Sequence, residues 1–307
     1  MPDASTLDAL LPLEIARRAE RVGVAKLAMP LARVFTLAVL AGAFIALGGV
    51  FATTALAGTA GVPWGPARVL AGVAFSLGLI LVVVGGAELF TGNNLIVMAW
   101  AAGHAGTRAV LLNWLVVYAG NFLGAAATAL LVFVAGTHRG GNGAFGAAAL
   151  GIAHGKLQLG FTQAVALGIL CNALVCLAVW LSYGGRTAAD RILAVVFPIS
   201  AFVAAGFEHS VANMYFVPFA LLIARFDPGF AAGAGLTGVD LGWVAFVAGN
   251  LAPVTLGNLI GGAGLVGAVY WSVYLRPGAA ERGASRGTPL ASAPGDRVAR
   301  ADAPRTG

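Results

Sequence analysis

The sequence predicts an all-α integral membrane protein: six transmembrane helices in an inverted 3+3 repeat, two of them broken. Three observations predict it. The 307-residue chain is 59% hydrophobic and only 10% charged, with a mean hydropathy of +0.89, whereas a soluble domain carries about 25% charged residues. Its apolar residues gather in six runs, each long enough to cross a hydrocarbon layer about 30 Å thick, which takes roughly 20 helical residues. Two of those runs are interrupted at matching places by glycine and acidic residues, Glu88 and Glu208, 120 positions apart.

Taken in order, residues 1–30 hold charges of both signs and no early apolar core, so no cleavable leader is expected. "TLDALLPLEIARRAERVGVAKLA" instead has helical periodicity with Arg17, Arg18, Arg21 and Lys26, as in an amphipathic helix at a membrane surface. The membrane domain follows over 31–276, with spans expected near 35–57, 67–100, 109–135, 162–183, 191–224 and 243–275. The second and fifth are too long for one uninterrupted span. Their middles read "VVVGGAELFTGNNLIVM" and "VAAGFEHSVANMYFV". Residues 277–307 are rich in Ala, Gly, Arg and Pro and are expected to be disordered. The 44 glycines suit close helix contact in lipid. Cys171 and Cys176, five apart in one apolar run, read as small buried hydrophobes with neither disulfide nor metal spacing.

An even number of spans puts both termini on one side. That side then holds fourteen basic residues (Arg17, Arg18, Arg21, Lys26, Arg33, Arg108, Arg186, Arg191 and six in the tail after Tyr274) against Arg68, Arg139, Lys156 and Arg225 on the other. The excess places both termini in the cytoplasm.

The repeat is carried by polar residues. Asn93 and Asn213 share the offset of Glu88 and Glu208. Asn113, Asn121 and Gly124 in "NWLVVYAGNFLG" have the spacing of Asn250, Asn258 and Gly261 in "NLAPVTLGNLIG". Each half contains three spans, so the second enters the membrane from the opposite face. Paired broken helices in an inverted repeat point to a transport site where the halves meet. Gly120 with Gly124, and Gly257 with Gly261, read as helix packing. That does not account for matched acids in lipid, which are costly and default to function.

"GGAELFTGNNLIVMAW" (85–100) and "GFEHSVANMYFVPFALL" (206–222) resemble the two signatures of the formate/nitrite transporter family, and the resemblance extends over residues 10–276. It implies an aquaporin-like inverted fold and a homopentamer with one pore per chain. It also implies a multi-pass protein of a bacterial inner membrane, whose cargo is a small weak-acid anion such as formate, nitrite, hydrosulfide or lactate, with formate favoured.

The site chemistry then follows. Burying a carboxylate-sized ion costs on the order of 20 kcal/mol in the ideal case, and several after relaxation. Fixed positive charge, helix N-termini or protonation offset that cost. His209 suits protonation, since an ordinary histidine titrates near pH 6.5. Lys156 is the candidate attracting charge at the outer mouth. The resemblance implies that Thr91 lies close to His209. Phe75 and Leu79, four apart on one helix face, match with Phe202 and Val175 the family's apolar constrictions; alone, each reads as packing. Asn172 and Asn258 read as pore lining or as interhelical hydrogen bonders, the former preferred. Glu88 and Glu208 read as proton carriers or as structural groups, the latter preferred: with Asn93 and Asn213 they are expected to satisfy the free N–H groups of the half-helices that follow. Lys26 matches a family position near the cytoplasmic mouth and is expected to gate. His104, His138 and His154 are expected at ordinary surfaces or interfaces.

The expected partners are the anion, protons, the bilayer and other copies of the chain. No cofactor, metal or nucleic acid is expected. An intramembrane metalloenzyme lacks HExxH or similar ligand spacing. A neutral-solute channel of the aquaporin type lacks the paired NPA tripeptides. A membrane scaffold leaves the acidic breaks without a reason.

Overall fold

The computed structural model describes residues 9–234 and 241–276, so the expected disordered tail, 277–307, lies outside the described residues. All regular structure among the described residues is helical.

Helix α1 (Pro12–Leu27) carries Glu14 in its first turn and Lys26 in its last, the arrangement the helix dipole favours. Its apolar stripe, Ile15, Ala16 and Ala19, packs on Met98 and Trp180. Six apolar helices are long enough to cross a membrane. They are α2 (Leu31–Leu56), α3 (Trp64–Gly85), α5 (Thr107–Val134), α7 (Phe161–Gly184), α8 (Ala188–Ala205) and α11 (Ala245–Tyr274). The long second run ends α3 at Gly85, passes through a break, and resumes as a tight turn over Gly92–Ile96 and the short α4 (Val97–Ala101). The long fifth run divides into α8 and α9 (Ser210–Phe226). Both breaks begin at a glycine with left-handed backbone, Gly86 (φ 82°) and Gly206 (φ 76°). Glycine adopts that region without steric cost, and it stops each helix.

Three features go beyond the sequence expectation. Helix α6 (Ala144–Leu157) lies between the third and fourth spans, and a short α10 (Pro228–Gly233) follows α9, N-capped by the Asp227 carboxylate. The sixth span is not a plain α-helix. Ala245–Leu251 and Ile260–Ala268 are π-wound on either side of an α-helical piece that begins at Pro253's turn.

Small residues hold the bundle together. A side chain at Gly124 would meet the Val39 carbonyl of α2, and one at Gly42 the Asn121 backbone of α5. In the second half, Gly257 and Gly261 lie against the Val165 and Ile169 carbonyls of α7. The two GxxxG pairs thus do the same packing work in each repeat, as lipid-embedded helices require. Outward faces stay apolar, with Leu115, Leu131 and Phe197 well exposed.

Candidate functional site

Each break is built from the same parts. The Glu88 amide donates to Leu37 O (3.2 Å) and the Glu208 amide to Leu167 O (3.3 Å). Asn121 Oδ1 accepts the Phe90 amide at 2.9 Å, while its Nδ2 donates to Ala38 O (2.7 Å) and Glu88 O (2.9 Å). Asn258 repeats this on Ser210 N, Gly168 O and Glu208 O, all at 2.9 Å. Groups freed by breaking a helix in the membrane must find partners inside the protein, and these two asparagines supply them.

The glutamates do something other than expected. Glu88 accepts from Lys26 Nζ at 2.8 and 2.9 Å and from Asn93 Nδ2 at 2.7 Å; Asn93 Nδ2 also reaches Asn113 Oδ1 at 3.0 Å. Glu208 accepts from Lys156 Nζ at 2.8 Å and Asn213 Nδ2 at 2.7 Å, and Asn213 Nδ2 reaches Asn250 Oδ1 at 2.7 Å. The carboxylates therefore face lysine and asparagine side chains, not the backbone of the following half-helix. The physical reason is charge: a buried carboxylate gains more from a cation within contact than from a neutral amide.

His209 joins the two halves. It N-caps α9, with Nδ1 accepting the Ala212 amide at 3.0 Å. This assigns the neutral ring's proton to Nε2, which lies 2.9 Å from Thr91 Oγ1. His209 and Thr91 come from opposite repeats, and both are buried. The imidazole stacks on Phe202, ring centroids 5.8 Å apart. Asn172 fastens this point from behind. Its Nδ2 reaches Asn94 Oδ1 (2.8 Å), Asn258 O (2.7 Å) and Thr91 O (3.3 Å). Asn172 and Asn258 both make interhelical hydrogen bonds and are as buried as Thr91.

Two cavities approach this centre from opposite ends. One, of about 480 Å³, is lined by Lys156, Arg68, Phe75, Phe202, Glu208 and His209 among others. The other, of about 200 Å³, is lined by Lys26, Leu79, Glu88, Leu89, Asn93 and Val179 among others. Phe75 and Phe202 meet edge to face at 5.7 Å on the wall of the first. Leu79 borders the second, and Val175 is buried in the core between α7 and its neighbours without lining either cavity.

The family model for Formate/nitrite transporter matches residues 13–272. The chain belongs to the formate/nitrite transporter family. Among the family's members, the chain is 45% identical over 273 residues to the Formate channel FocA of Escherichia coli (strain K12), covering 88% of this chain and 96% of that protein. It is 36% identical over 288 residues to a probable formate transporter of Methanothermobacter thermautotrophicus, covering 86% and 97%. A solved pentameric formate channel with formate bound superposes with a TM-score of 0.76 at 42% identity, over 80% of this chain and 98% of that one. A solved ion channel of the same family gives 0.68 at 28% identity, over 85% and 97%. The chain is accordingly a multi-pass membrane transport protein and not an enzyme.

Within this family member, three site features escape sequence reasoning. Lys26 and Lys156 are repeat mates: each sits in the helix preceding a half's first span, 130 positions apart, as are the paired carbonyls Leu37 and Leu167. The signal was "AKL" (25–27) against "GKL" (155–157). Arg68 joins the Lys156 cavity with no motif around it. His138 is not at the surface. It is 3% exposed, stacked on Phe133 at 5.1 Å, and bonded to Asp227 Oδ2 at 3.2 Å. Hydrogen bonds from Arg139 and His138 hold the Asp227 carboxyl below the usual carboxylate range. His104 is exposed, as expected, and pairs with Glu20; His154 is half-buried.

Proposed function

We propose that the chain is a formate channel of a bacterial inner membrane, a homopentamer with cytoplasmic termini in which each chain has its own pathway. The observation that carries this reading is the His209–Thr91 pair, at 2.9 Å, buried between two cation-bearing cavities. The relatives described as formate channels and the solved pentamer support cargo and assembly; the fourteen-to-four excess of basic residues supports the orientation.

The anion enters a cavity, sheds water beside Phe75 and Phe202, and meets Nε2 of His209. Crossing the apolar zone at full charge costs several kcal/mol. A proton taken from water in the entry cavity is passed to the anion through His209, whose ring ends neutral as it began; the permeant species is neutral there and releases that proton when it ionises in the far cavity. The ring rests neutral, because a second proton on Nδ1 would displace the Ala212 amide it caps. An arriving anion offsets that cost, so the charged ring forms only with its counter-charge beside it. This avoids a permanent cation that would trap the cargo. Nitrite and hydrosulfide share the needed chemistry.

Flux into proteoliposomes tests the reading. Formate uptake should far exceed glycerol uptake and should rise when the outer pH falls. Glycerol uptake matching that of formate would replace it with a neutral-solute channel.

A further inference from the structure

Arg68 lies in the first turns of α3, on the wall of the Lys156 cavity. Its Nη2 donates to Val203 O at 2.5 Å and its Nε to Ala204 O at 3.3 Å. Those carbonyls end α8, where a helix carries about half a negative elementary charge. No carboxylate among the described residues pairs with Arg68.

Lys156 differs. Its ammonium is closed against Glu208 at 2.8 Å and sits 5.5 Å above the Phe216 ring centroid. The wall of that cavity therefore carries two cations, Arg68 and Lys156, against one carboxylate, Glu208. The opposite cavity carries Lys26 against Glu88, with no remainder. The repeat mate of Arg68, 120 positions on, is Ala188. Within the lining of these two cavities the surplus charge is therefore on the Lys156 side, while at the other end Arg18, Arg21 and Arg186 line a separate hollow beside the Lys26 cavity.

We infer that Arg68, not Lys156, is the anion-concentrating charge of this cavity, setting the affinity with which a small monovalent anion enters from that side. The inference rests on the proposed function and goes beyond it by naming the residue. A charge inside a low-dielectric cleft focuses its field on incoming ions. Guanidinium keeps its proton throughout the working range, so this contribution is constant while His209 responds to pH. Its effect must fade with salt, because the screening length drops from about 30 Å at 0.01 M to about 8 Å at 0.15 M.

The test is formate influx into proteoliposomes bearing the full-length protein, Arg68→Gln or Arg68→Lys, at those two ionic strengths. Arg68→Gln should raise the half-saturating formate concentration about two- to five-fold at 0.01 M. That difference should narrow at 0.15 M, with maximal flux unchanged. Arg68→Lys, which keeps the charge, should stay close to the native protein. Equal half-saturation in Arg68→Gln overturns the inference. So does an equal, salt-independent loss in both variants, which would make Arg68 only a cap on α8. Should Arg68→Gln fail to assemble, the native protein decides: its half-saturation must rise with ionic strength, and a flat response overturns the inference. A native protein that carries no formate overturns the functional reading instead.

Discussion

At His209 the two ring nitrogens have separate tasks: Nδ1 caps α9 and Nε2 faces Thr91 across the repeat boundary. The residue's identity and depth were legible, because an imidazole inside an apolar run has few structural uses. Its partner Thr91, 118 positions away, followed only from the family resemblance and not from the residues themselves, and the Ala212 cap only from the local fold of the break. The same limit applies to Asn172 and Asn258. An asparagine in a span reads alike whether it lines a path or binds carbonyls, and only the fold shows which carbonyls these two bind. Asn121→Ala and Asn258→Ala should therefore act on stability. Each removes the side-chain partner of a buried amide and of the Glu88 or Glu208 carbonyl in the break, at about 1–3 kcal/mol per group left unpaired. A lowered thermal midpoint in detergent is expected from both; an unchanged midpoint in either would contradict the clamp assignment.

Two elements carry the mirrored lysines. α1 holds Lys26 to Glu88 and Asn93, and α6 holds Lys156 to Glu208. The helical periodicity of α1 was legible from its charged face. α6, "AFGAAALGIAHGKL", has no polar face to reveal a period, so a helix and the lysine equivalence both went unseen. The paired breaks were legible because glycine and acid recur at one offset, whereas π-winding in α11 has no such marker. We propose that withdrawal of Lys26 gates the Lys26 cavity. Lys26→Gln leaves a buried carboxylate without its cation, so α1 amides should exchange hydrogen faster and the pH dependence of flux should change; unaltered exchange and unaltered pH dependence would remove α1 from gating. At the opposite end, Asp227 ties Arg139 and His138 to the start of α10. Its lowered carboxyl pKa means the tie is fully present above the ordinary carboxylate value, near pH 4. It is lost as pH falls through the depressed one. Loop protection from exchange should drop there in the native protein, and be already low in Asp227→Asn at neutral pH.

The whole molecule depends on backbones brought into contact by glycine, and that was legible in kind, though not in which carbonyl each glycine meets. Gly124→Ala places a methyl group against the Val39 carbonyl, a backbone atom that cannot swing aside. A loss of about 1–3 kcal/mol is expected. Gly65→Ala meets nothing within 4 Å and should be neutral. Thermal midpoints of the two variants, measured side by side, check this; equal midpoints would mean that the α2–α5 contact is not tight. Assembly was invisible to periodicity, because an outward apolar face serves lipid and a neighbouring chain equally well. The central claim concerns charge at the centre of the membrane, and formate flux through His209→Asn at two pH values tests it most directly. The account predicts that flux falls roughly ten-fold or more and that its pH dependence disappears, while the protein still assembles. A variant that keeps both the native rate and the native pH response would contradict it.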